Sequence, residues 1–145
     1  MEMTEEQKRK VQEIAQKYQV ELLLLFGSQV TGKTHQESDY DLAYVGRRRL
    51  DLYERGQLMI DLASVFEIPL DKMELVPLRG SSPFFLKEVF TNANVLYAKD
   101  NVAFDRYKIY ALRYFEESQS LMQHLASMVK KRAEKYRQEL NLKPL

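Results

Sequence analysis

The sequence predicts an α+β fold: a small mixed β-sheet flanked by helices, with a long helical segment at the C-terminal end. Three observations carry that prediction. Two apolar stretches of strand length, 20–26 and 40–45, stand close together and are separated by a polar loop. Apolar residues recur at helical spacing before, between and after the stretches of strand type. From Phe104 to Met128 that spacing is kept over residues 104, 107, 111, 114, 121, 125 and 128, with no proline between Pro83 and Pro144.

Taken in order, Thr4 and Gln7 form a capping-box pattern ahead of Val11, Ile14, Ala15 and Tyr18, which predicts a helix over 5–18. Residues 20–26 are almost all apolar, as a central strand buried on both faces must be. A short helical turn is expected after Ser28, and a polar loop over 32–38 leads to the second strand at 40–45. Gly46-Arg47-Arg48-Arg49 closes that strand as a charged turn. Leu52, Met59, Leu62, Ala63 and Phe66 define an amphipathic helix, and Pro69 sits in the turn after it. A third strand is expected over 72–78, with Glu74 and Val76 on one face. Ser82 as N-cap and Pro83 at the first helical position start a helix through about Phe90, followed by a short strand over 94–98.

At 145 residues and 45% hydrophobic composition the chain suffices for one core. The expected division is a core over 1–100 and a helical extension over 101–145 belonging to the same domain. A continuous terminal helix would reach roughly 60 Å at 1.5 Å per residue, more than such a domain spans. Either the segment breaks near Ser118 to Ser120 and folds back, or part of its apolar face requires a partner.

Cysteine is absent, which removes disulfides, thiolate catalysis and zinc-thiolate sites. The two histidines, His35 and His124, lie far apart in the chain, and neither is expected to bind a metal. No run of eighteen apolar residues and no secretory leader pattern is present, so a cytoplasmic location is expected. The net charge of +1 is too small for a protein that coats nucleic acid, and no stable nucleic-acid binding is expected. Residues 1–102 carry 13 Lys and Arg against 16 Asp and Glu, whereas residues 103–145 carry 9 against 5, so the basic excess sits in the terminal segment.

Chemistry is concentrated between residues 27 and 41, which read Gly27-Ser28, ten residues, then Asp39-Tyr40-Asp41. Alternation along a strand sends Asp39 and Asp41 to one side and Tyr40 and Leu42 to the other. Two adjacent carboxylates repel unless a proton or cation lies between them, and Mg2+ favours such oxygens together with substrate phosphates. A glycine after a buried strand permits close approach, and amides in a following helical turn can donate to phosphate.

Gly27, Ser28, Gly32, Ser38, Asp39, Asp41 and Leu42 together resemble the pattern of the nucleotidyltransferase superfamily. The likeness covers roughly residues 10–100. The small size points to the minimal nucleotidyltransferases, the group that includes MntA-type antitoxins paired with HEPN-domain toxins. This resemblance implies a nucleotidyltransferase fold and Mg2+-dependent transfer of AMP from ATP to a tyrosine hydroxyl of a cognate HEPN toxin, a small all-helical ribonuclease. Asp39, Asp41 and Glu74 are the implied catalytic and metal-binding carboxylates; Gly27, Ser28, Lys33 and Ser38 are the implied nucleotide-binding residues. Two departures stand out: Gln29 and Thr31 occupy positions where relatives often carry arginine, and Glu74 stands where aspartate is common. Two alternatives remain at this point: transfer to a small hydroxylated molecule such as an aminoglycoside, and neutralisation of a partner by binding alone.

Overall fold

The computed structural model describes residues 2–27 and 39–140. The helical turn expected after Ser28 and the loop over 32–38 lie outside those residues, as do Ser28, Lys33, His35 and Ser38. Helix α1 (Glu5–Lys17) starts at the Thr4–Gln7 capping box, with both reciprocal hydrogen bonds present. Strands β1 (Val20–Phe26) and β2 (Tyr40–Gly46) flank the motif. Helix α2 (Leu52–Phe66) follows, capped by Asp51, whose side chain accepts from the Glu54 amide at 2.7 Å.

A 3-10 turn at Leu70–Lys72 shortens the third strand, so that β3 is Met73–Pro77 rather than 72–78. Helix α3 (Pro83–Asn92) begins at Ser82 as expected and runs two residues past Phe90. Strand β4 (Asn94–Ala98) and helix α4 (Ala103–Glu139) complete the described chain.

The four strands lie in the order β3-β2-β1-β4. Strand β1 pairs antiparallel with both β2 and β4, whereas β2 and β3 are parallel. A parallel neighbour requires a crossover, and α2 supplies it. Both faces of the sheet are covered, which explains the unbroken leucines of β1. Leu23, Leu25, Leu42 and Tyr44 pack against Val11 and Ala15 of α1 and Leu58 and Leu62 of α2. Leu22, Leu24, Ala43 and Val45 meet Leu86, Val89 and Phe90 of α3 and Ala111 of α4 on the other face. Each fully buried leucine contributes about 1.5–3 kcal/mol relative to exposure, so these two layers dominate the stability of the sheet.

Helix α4 does not break near Ser118 to Ser120; it continues for 37 residues, about 55 Å at 1.5 Å per residue. Serine lowers helix propensity only slightly, and neither proline nor glycine interrupts the segment. Its first turns are tied to the sheet by Glu21, whose carboxylate accepts from the Tyr107 hydroxyl at 3.1 Å and faces Lys99 Nζ at 3.4 Å. Phe115 still packs edge-on against Phe84 of α3, at 5.4 Å between ring centroids. Beyond that contact residues 121–136 are all exposed, including Leu121, Met122, Leu125, Met128, Val129 and Tyr136.

Candidate active site

The sheet brings the carboxylates of the motif to one end of its central strands. Asp41 is the second residue of β2, paired with Phe26 on β1 and with Glu74 on β3. Paired residues on parallel strands share a face, so Asp41 and Glu74 stand side by side about 4.8 Å apart in backbone spacing. Tyr40 faces the opposite way and packs against the layer under α1 and α2, as alternation requires. Asp39 is exposed, one residue before the strand begins.

Gly27 ends β1 with φ +79°, a backbone region that costs other residues about 1–2 kcal/mol. A Cβ at this position would overlap the Asp41 carboxylate, lying 3.1 Å from its Cγ. Glycine therefore serves twice, admitting the turn and leaving room for the acid. We expect Gly27→Ala to lower stability by about 1–3 kcal/mol. Thermal unfolding checks this, and an unchanged Tm would mean that the strand end relaxes without cost.

The Asp41 carboxyl is pushed up to about 6, first by burial, then by its hydrogen bond with Glu74 and the negative charges of Glu74 and Asp39. Such crowding is relieved by a proton or by a cation. Because the folded value exceeds the 3.8 of the free side chain, the proton's contribution to stability is complete below about pH 4 and is lost as pH rises through about 6. We expect Asp41→Asn to stabilise the metal-free protein at pH 7.5 by about 1 kcal/mol, after discounting the shift for solvent access. That gain should vanish near pH 4. Denaturant titrations at the two pH values measure it, and a gain independent of pH would contradict the assigned cause.

Among the described residues, no group of three or more His, Asp or Glu side chains forms a ready-made metal cluster. The register joins Asp41 to Glu74, while Asp39 acts on Asp41 through its charge. The donors are all carboxylate oxygens, the chemistry a hard divalent cation selects, and their mutual repulsion is what such a cation offsets. The residues present therefore fit Mg2+ in kind. The structure places Gly27 where the Asp41 side chain needs space; the other nucleotide-binding candidates, Ser28, Lys33 and Ser38, lie outside the described residues.

The mixed sheet thus sets Asp41 on central strand β2 beside Glu74 on edge strand β3, next to Gly27 at the end of β1. The family described as "Polymerase beta, Nucleotidyltransferase" matches residues 9–102, and the chain belongs to that family. Two relatives, each a protein adenylyltransferase MntA, are similar in sequence. The Shewanella oneidensis protein is 35% identical over 78 residues, 54% of either chain. The Aphanizomenon flos-aquae protein is 28% identical over 96 residues, 61% of this chain and 64% of its own. The matches thus span between about half and two thirds of the length of these relatives.

Solved structures share the fold. A chain of a toxin–antitoxin assembly with AMP-PNP superposes with a TM-score of 0.66 at 24% identity, covering 85% of this chain and 98% of its own. A chain from the tri-AMPylated Shewanella oneidensis HEPN toxin in complex with its MNT antitoxin gives 0.61 at 22% identity, covering 88% and 99%.

Proposed function

We propose that this protein is a Mg2+-dependent adenylyltransferase antitoxin that moves AMP from ATP to a tyrosine hydroxyl of a cognate HEPN ribonuclease toxin and so neutralises it. The observation that carries this reading is the in-register Asp41–Glu74 pair under Gly27, in a chain of the nucleotidyltransferase family. The similarity to MntA adenylyltransferases and to toxin–antitoxin assemblies supports the acceptor and the partner.

In the proposed reaction the tyrosine oxygen attacks the α-phosphorus of ATP, its bond to the β-phosphate oxygen breaks, and pyrophosphate leaves. Mg2+, when bound, supplies positive charge against the charge that develops on the phosphoryl oxygens. Asp39 and Asp41 would hold it, and Glu74 would add a further oxygen or take the tyrosine proton. Gly27, Ser28, Lys33 and Ser38 contact the triphosphate. The core over 1–100 performs transfer, and the extension over 101–145, part of the same domain, docks the toxin through the exposed apolar face of α4. No described helix is long and apolar enough to cross a membrane. A cytoplasmic location, with no stable nucleic-acid binding, completes the reading.

The metal requirement is tested by incubating the protein with α-labelled ATP and the toxin, with EDTA or with graded Mg2+. Label on the toxin should appear only with the cation. Equal labelling in EDTA would remove the metal from the account.

A further inference from the structure

At the opposite end of the same strands lies a cavity of about 230 Å³ whose wall includes four arginines, Arg48, Arg49, Arg55 and Arg79, with Tyr44 and Pro77 beside them. It opens three to five residues along β2 from Asp41, roughly 10–16 Å away at 3.3 Å per residue. Only Arg48 is matched by a carboxylate among the described residues, donating from Nη1 to Glu54 Oε1 at 3.0 Å and from Nη2 to Oε2. Arg79 is anchored by donating from Nη2 to the Gly46 carbonyl at 2.8 Å, a bond that leaves its charge uncancelled. Arg55 carries a buried Nε with no hydrogen-bond partner in the described structure. Arg49 makes no ion pair among the described residues.

A buried donor without a partner costs about 1–3 kcal/mol, and more when the group is charged. Repulsion among converging guanidiniums adds to that cost. That repulsion is relieved by one kind of occupant, an anion that accepts from several directions. We propose that this cavity is a binding site for a small phosphate-bearing anion, distinct from the carboxylate site. Three unmatched arginines call for at least a dianion, and guanidinium geometry suits phosphate oxygens. The volume is below the roughly 300–1,000 Å³ usual for drug-sized ligands, which fits a phosphate group rather than a whole nucleoside triphosphate. A second cavity of about 350 Å³ adjoins it through the shared residues Val45 and Arg79 and carries Tyr107, Tyr110 and Tyr114. The phosphate can be free or borne by a mononucleotide, and titration with each separates the two sources.

The test is calorimetric titration of the full chain with inorganic phosphate and with AMP, both in EDTA so that the metal-dependent site stays silent. Saturable binding is expected, weakened at least tenfold in Arg49→Ala. Arg47→Ala, an exposed neighbour outside the cavity wall, and Asp41→Asn should leave the affinity unchanged. AMP binding at least tenfold tighter than phosphate identifies a nucleotide as the source; equal affinity identifies free phosphate. No saturation with either probe overturns the proposal, as does affinity indifferent to Arg49→Ala or lost in Asp41→Asn. Arg49 is exposed, and a Tm equal to wild type shows that its variant is folded. Because no transfer is measured, failure here leaves the adenylyltransferase reading standing.

Discussion

Replacing Asp39 or Asp41 by asparagine should reduce AMP transfer at least about 10³-fold, some 4 kcal/mol of transition-state stabilisation. Asparagine keeps the shape and one oxygen, so the loss isolates the charge. The charge matters because, in the proposed reaction, the reacting phosphates are anionic and the carboxylates would hold a neutralising cation beside them. For Asp41 the same substitution should stabilise the metal-free fold at pH 7.5, since it removes a crowded acid whose pKa is pushed up to about 6. Activity and stability then move in opposite directions. A variant that lost both together would be failing through misfolding, and single-turnover transfer beside thermal unfolding separates the two cases.

The second large effect is expected far from the chemistry. On the proposed docking of the toxin through α4, Leu125→Glu combined with Met128→Glu should weaken toxin binding at least about 100-fold, because apolar anchors at the centre of an interface carry most of its energy. Both side chains are exposed on the projecting part of α4, 45% and 49% respectively. They share one helix face with Val129, Arg132, Ala133 and Tyr136. Glutamate preserves helix propensity, so circular dichroism should be unchanged. Toxin affinity measured by biolayer interferometry decides the matter. Undiminished affinity would place the docking surface elsewhere.

Much of this architecture was legible in the sequence because it is written in local terms. The Thr4–Gln7 box, the Ser82-Pro83 start and the apolar run of β1 each specify an element without reference to distant residues. The alternation that turns Tyr40 inward and Asp41 to the other face follows from period two alone. What lay beyond reach was pairing. Nothing local fixes β3 as a parallel neighbour of β2, or the register that sets Glu74 beside Asp41.

The 3-10 turn at Leu70–Lys72 follows directly after Pro69, where a strand residue was expected at position 72. Helix α4 stayed continuous because a pair of serines is too weak a signal to break it, whereas its length alone left open either a fold-back or a partner for its apolar face. The arginine cavity was missed for a related reason. Arg47-Arg48-Arg49 reads as a charged turn, and only the fold brings Arg55 and Arg79 to the same place.

Intact-mass measurement of the toxin recovered after co-expression tests the central claim most directly. With the wild-type chain, the toxin should be heavier by whole adenylyl groups located on tyrosine. With the Asp39→Asn/Asp41→Asn chain it should be unmodified and active as a ribonuclease. A toxin that carries no added mass yet is neutralised equally by both chains would contradict the account and leave binding alone as the means of neutralisation.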